Sequence, residues 1–146
     1  MKKILLLLVA ACCLFVSCEK EGGNSSVDGT TWKGTYENTN GSYIRVSLVL
    51  KDGFASLYNL DDNYLVDTQS YKVKGDKIIF NDVLSIRDFR TSSSVEEEYF
   101  QKEGTFNSDK SKLTLVWYYS YDYEYANPPH EKKTRSAEFT RVVSAE

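Results

Sequence analysis

Cysteine is confined to the start of the chain, at Cys12, Cys13 and Cys18, so nothing beyond Cys18 can close an internal disulfide and the fold there depends on a packed core. Histidine occurs once, as His130. A single imidazole excludes histidine-rich metal centres; because it lies beside Pro128-Pro129 in an expected exposed loop and no serine stands in a recognisable nucleophile motif, no triad is expected either. The expectation is therefore no catalytic residue, no metal, no cofactor and no enzymatic activity. Carboxylates are plentiful, but a pair of them meeting in space to cleave a glycoside is not legible in a sequence. Proline is limited to Pro128 and Pro129, which leaves the rest of the chain free of residues that break a strand ladder. Positive charge is in deficit, 18 Lys and Arg against 21 Asp and Glu, which excludes the basic footprint of a nucleic-acid partner. No segment carries the 3.6-residue apolar period of a convincing amphipathic helix.

The longest uninterrupted apolar run is Ile4 to Val16, which is shorter than the ~20 residues of a bilayer-spanning helix. Preceded by Lys2 and Lys3 and followed by the small Ser17, it has the charge and length of a secretory signal. The stretch Phe15-Val16-Ser17-Cys18 resembles the lipobox of bacterial lipoproteins. That resemblance implies cleavage before Cys18 and a diacylglycerol on its thiol, with more than one acyl chain, since a single chain holds a protein only marginally. Residues 1–17 then form the signal peptide and 18–29 a polar, glycine-bearing tether, leaving one domain over 30–146. Removing Lys2 and Lys3 leaves 16 basic residues against 21 acidic ones, a formal charge of -5. Acidic residues directly after the cysteine resemble the surface-export signal of Bacteroidetes lipoproteins, and read equally well as a solvated linker. The expected location is the outer membrane, by the lipid on Cys18, with exposure at the cell surface as an extension of that reading.

From Thr31 onward the pattern changes to alternation. Trp32, Gly34 and Tyr36 alternate with Lys33, Thr35 and Glu37; Ile44, Val46, Leu48 and Leu50 share one face of the next run; Asp52-Gly53 and Gly75-Asp76 are hairpin turns. Further strands are expected over 54–59, 66–74, 77–80, 83–89 and 99–106. Residues 90–98, with three serines and the acidic run Glu96 to Glu98, read as a solvated loop. The acids of Leu60 to Asn63 lack the alternate-residue spacing and closing glutamate of a calcium loop and read as a turn.

The longest alternation runs from Leu113 through Leu115, Trp117, Tyr119, Tyr121, Tyr123 and Tyr125, and stops at the prolines. Lys132 to Val143 is its return strand. A hairpin centred on Pro128 sets Trp117 opposite Phe139, Tyr119 opposite Ala137 and Tyr121 opposite Arg135; a shift by one residue would turn Glu138 and Thr140 onto the aromatic face. About nine strands joined by short turns predict an all-β, antiparallel up-and-down meander, closed into a barrel of about eight to ten strands so that no edge is left open. A two-sheet sandwich is the alternative.

Gly29-Thr30-Thr31-Trp32, the meander, and Phe139-Thr140-Arg141 in the last strand together resemble the lipocalin-like, calycin-type barrels found among Bacteroidetes lipoproteins. The resemblance spans Thr30 to Val143 and implies a barrel floor in which Arg141 covers Trp32. Trp117, Tyr119, Tyr121, Tyr123, Lys133 and Arg135 are then candidate ligand contacts at the other end, suited to stacking on a hydrophobic, aromatic or sugar ring while pairing with an anionic group. The alternative use of the same tyrosines is a protein-binding face of inhibitor or immunity type. An open apolar interior would favour the ligand, a filled one with exposed tyrosines the protein. Because the tether joins beside Trp32, the floor is expected to face the membrane and the aromatic rim to face away from it.

Overall fold

The structure is a computed structural model and describes residues 26–90, 94–123 and 131–143. Cys18 and most of the tether, and the hairpin at 124–130, lie outside the described residues.

Nine antiparallel strands follow in order: β1 (Thr30–Glu37), β2 (Tyr43–Lys51), β3 (Phe54–Asn59), β4 (Tyr64–Lys74), β5 (Lys77–Phe80), β6 (Leu84–Arg90), β7 (Ser94–Phe106), β8 (Lys112–Tyr123) and β9 (Glu131–Arg141). Each pairs with its neighbour in sequence except β5 with β6; β9 pairs with β1, and β5 pairs with β7. The result is a closed meander. It has eight positions rather than nine, because β5 and β6 follow one another along the same edge of β7: β5 meets Glu103 to Thr105, and β6 meets Val95 to Phe100.

Alternation decides what fills the barrel. Trp32 and Tyr36 of β1, Val46, Leu48 and Leu50 of β2, Ala55 and Leu57 of β3, Ile78, Phe80 and Leu84, Phe100 and Phe106 of β7, Leu113, Leu115, Trp117 and Tyr119 of β8, and Ala137 and Phe139 of β9 are all buried. They form one continuous core. Phe139 sets its ring edge-on to Phe100 at 5.6 Å, and Tyr36 meets Phe100 edge-on at the same distance. A barrel of eight strands has an interior just wide enough for its own side chains, and here bulky aromatic and aliphatic residues occupy it.

Two expectations are corrected. Residues 90–98 are not a loop from end to end: β7 begins at Ser94, and Glu96 to Glu98 are laddered on both sides, to β6 and to β8. Backbone pairing on two edges, together with a protein-internal partner for the Glu98 carboxyl, overrides the preference of an acidic run for water. The β8–β9 hairpin is also set four residues from the expected register. Trp117 faces Arg135, Tyr119 faces Lys133, Leu115 faces Ala137, and Phe139 faces Leu113. An even shift keeps the same side chains inward, so face patterning cannot detect it. Gly34 sets the other edge of β9, against β1. It pairs with Phe139 across β1–β9, and a Cβ there would stand 2.7 Å from the Glu138 carbonyl oxygen and 2.9 Å from the Phe139 ring, so only glycine lets that ring close over the strand.

The end where β1 begins is sealed. Val27 is fully buried in the core, and Gly29 donates its N–H to the Leu50 carbonyl at 2.7 Å. Asp28 accepts from the Tyr71 hydroxyl at 2.8 Å and the Gly53 N–H at 3.3 Å, and these bonds hold its carboxyl below the usual range. The turns at Asp52-Gly53, Gly75-Asp76 and 107–111 lie at this end. The turns at 38–42 and 60–63 lie at the other, which is the mouth.

Candidate functional site

Chemistry concentrates where the wall parts near the mouth. β1 and β9 pair only from Trp32 to Gly34; beyond Phe139 their ladder stops. A cleft of about 440 Å³ opens there, lined by Thr35, Tyr36, Glu37, Tyr43, Trp117, Arg135, Ser136 and Glu138. Arg135 spans it, its Nη1 lying 2.5 Å from Glu37 Oε2 as an ion contact that is not aligned as a hydrogen bond. The same guanidinium stands 5.9 Å from the centre of the Trp117 ring, within cation–π range. Trp117 is the floor: fully buried, stacked at 6.0 Å on Tyr36 and at 6.2 Å, nearly parallel, on Tyr119.

Behind Trp117 lies a buried acid. Glu98 is only 5% exposed and accepts the Trp117 Nε1–H at 2.9 Å. The Tyr36 hydroxyl donates to the same carboxyl. Burial pushes the Glu98 carboxyl above its ordinary range; the Trp117 bond and the nearby Arg87 charge oppose that only in part. Tyr36 is shifted upward as well, first by its own burial and then by the Glu98 charge. Arg87 pairs with Glu96 at 2.7 Å, on the same face of β7 as Glu98. The cleft can hold a ring beside Tyr43 and Tyr36 while Arg135 and Glu37 satisfy its polar groups, and Glu98 holds the Trp117 floor from behind.

A second parting lies between β4 and β6. Where a ladder bond would continue the β4–β5 pairing, the Ser85 N–H donates to the Asp67 carboxylate at 2.8 Å instead. One side chain thus substitutes for backbone at the seam, and the barrel stays closed there.

The predicted site residues are divided by the fold. Trp117 and Arg135 come together in the cleft, directly opposite each other in register. Tyr119 is buried, and Tyr121 and Lys133 are half-buried further toward the mouth on the same strands. The side chain of Tyr123 lies outside the described residues. Trp32 and Arg141 are partners across β1–β9, as the barrel-floor reading requires, but the arginine resolved over a tryptophan among the described residues is Arg135 over Trp117. Trp32 is held instead by Phe106 at 5.3 Å and by donating its Nε1–H to Thr30 Oγ1 at 2.8 Å. Glu98, Tyr36, Glu37 and Tyr43 were not legible as site residues; the usable signal for Glu98 was its period-2 relation to Phe100, which places it inward. No group of three His, Cys, Asp or Glu residues among the described ones could hold a metal ion.

No protein-family model matches the chain, and no curated protein matches it. Among solved structures it is similar to a rhizavidin–biotin complex, with 14% identity and a TM-score of 0.39 over 84% of this chain and 100% of that one.

Proposed function

We propose that the chain is an extracytoplasmic lipoprotein, anchored in the outer membrane by lipid on Cys18, whose barrel holds a small polar, ring-bearing ligand of glycan type in the β1–β9 cleft. One observation carries the ligand reading: the wall opens at the place where a buried aromatic stack meets Arg135 and Glu37. The cleft volume falls within the range of small-ligand sites, roughly 300–1,000 Å³. The filled core narrows the ligand class, because a hydrophobic guest would have to displace Phe100, Phe139 or Leu115. Glu98 supports the same reading. A buried acid with a raised pKa is costly to keep charged, and such residues cluster at functional sites.

A panel of mono- and disaccharides, amino sugars and small aromatic acids, titrated against the chain by ligand-detected NMR, tests this. Arg135→Ala and Tyr43→Ala should each abolish the response at an unchanged thermal midpoint. Binding that survives both would move the site away from the cleft. The anchor is tested separately, since Cys18→Ser should lose palmitate labelling and membrane sedimentation.

A protein partner is the second reading, favoured by the filled interior, the outcome expected of a protein-binding barrel, and by Tyr43, Tyr64 and Leu65, which stand 69%, 48% and 51% exposed around the mouth, so the ligand reading stands on the wall cleft alone. A partner captured by the wild type and lost on replacing Tyr64 and Leu65 with Ser, with no response to the panel, would put this reading first.

A further inference from the structure

The large apolar side chains left exposed among the described residues fall into two groups. Tyr43, Tyr64 and Leu65 ring the mouth; Phe54, Val142 and Val143 ring the sealed end, and the wall between carries none. Phe54 follows the Asp52-Gly53 turn and points outward, opposite in parity to the buried Ala55 and Leu57. Val142 and Val143 follow β9, with the Val142 N–H donated to the Thr31 carbonyl. A shallow hollow of about 660 Å³ lies beside the two valines, lined also by Thr31, Asp109, Lys110 and Arg141. Acids and bases are mixed at this end, Asp52 and Asp109 with Lys51, Lys110 and Arg141, so its charge does not repel a lipid surface.

Chain length decides what this end meets. Cys18 precedes Ser26 by eight residues, which span at most about 28 Å fully extended. From Ser26 the chain is tied down: Lys110 Nζ donates to Ser26 Oγ at 3.1 Å, Val27 is buried, and Asp28 is bonded to Gly53 and Tyr71. The anchor therefore keeps the sealed end within about 28 Å of the lipid, and no freely turning segment separates residue 26 from the barrel. Exposed apolar side chains beside long cationic ones fit the boundary between headgroups and acyl chains, where the former enter and the latter reach the phosphates.

We infer that the sealed end of the barrel docks on the phospholipid surface, with Phe54, Val142 and Val143 entering the headgroup region and Arg141 and Lys110 facing lipid phosphate. The inference rests on the lipid anchor at Cys18 and adds to it a fixed orientation, with the cleft turned away from the bilayer.

The test uses the full acylated chain in phosphatidylethanolamine–phosphatidylglycerol vesicles, with and without bromine on the acyl chains. Phe54→Trp and, independently, Val143→Trp place a reporter at the sealed end, and Tyr43→Trp places one at the mouth. Emission from the buried Trp32 and Trp117 is common to all three and is subtracted. Docking requires a blue shift and a loss of emission in brominated vesicles for the residue 54 and 143 reporters, and none for residue 43. Acylated protein that floats with the vesicles while all three reporters respond equally would overturn docking and leave the anchor standing. Absence of acylation and of flotation would overturn both. Because all three positions are exposed, a folding defect in one reporter leaves the other at the same end to decide.

Discussion

The two tryptophans are both fully buried, and both donate their indole N–H inside the barrel, yet their partners differ. Trp32, at the sealed end, bonds the neutral hydroxyl of Thr30, two residues away on the same strand. Trp117, near the mouth, bonds the carboxylate of Glu98, contributed by the adjacent strand. The first arrangement is local, uncharged and complete: Thr30 in turn bonds the Val27 carbonyl, and every group belongs to the closure of the barrel. The second brings an ionisable group into a low-dielectric interior, at a cost that a structural indole would not require, since a hydroxyl would satisfy the same donor. The sealed end is thus built for stability, whereas the mouth retains chemistry that works against it.

The largest test of that contrast is Trp32→Ala, which should destabilise by ~3–5 kcal/mol through lost burial and the cavity left against Phe106. Urea titration measures it, and a loss below ~1 kcal/mol would deny Trp32 its place in the closure. Thr30→Val is the sharper probe of the same end. It preserves the side-chain shape but strands the Trp32 Nε1–H in the core, for a cost of ~1–3 kcal/mol, visible as a lower urea midpoint with an unchanged slope.

Glu98→Gln should act in the opposite direction. The amide oxygen still accepts from Trp117, while the ionisation that burial opposes is removed. The sign follows from linkage. The folded pKa lies above the ordinary 4.5, so the contribution of Glu98 to stability is greatest below the unfolded value and declines as pH rises toward the folded one. The Glu98→Gln variant should therefore melt higher than wild type at pH 7, and the two curves should converge below about pH 4.5. Ligand response should fall in the same variant, since a stabilising change that removes binding is the mark of a residue kept for function. A lower midpoint at pH 7 would make Glu98 a structural partner of Trp117 and Tyr36 and erase the contrast between the ends.

The smallest effect belongs to the outer surface. Arg45 bonds Asp61 at 2.7 Å, but its side chain is 66% exposed, so Arg45→Ala should cost less than ~1 kcal/mol and should weaken further in salt. A larger loss would mean that the loop at 60–63 supports the mouth more than its exposure implies.

Much of the architecture was legible because a half-buried strand has no way to hide its period. Trp32 to Tyr36, Ile44 to Leu50 and Leu113 to Tyr121 announce their inward faces, and Asp52-Gly53 announces its turn, both residues taking positive φ as a two-residue hairpin requires. The site was legible only in part. Trp117 and Arg135 were found from the aromatic stripe, but as a rim; their direct pairing needed the true register. Glu98 was missed because an acidic run on an otherwise unpatterned stretch looks the same whether water or an indole will bond it.

By itself the sequence determines the all-β meander and the inward and outward faces of its strands. Those properties depend on composition and on a period of two, both local. Only the tertiary structure decided the four-residue setting of β8 against β9, the merging of β5 and β6 into one position of the ring, and the parting of β1 from β9 that forms the cleft. Each of these depends on which side chains collide or fit across strands far apart in sequence, as the Phe139 ring does over Gly34 and the Glu98 carboxyl does under Trp117. Contacts of that kind have no period to read, so they exist only once the barrel has closed.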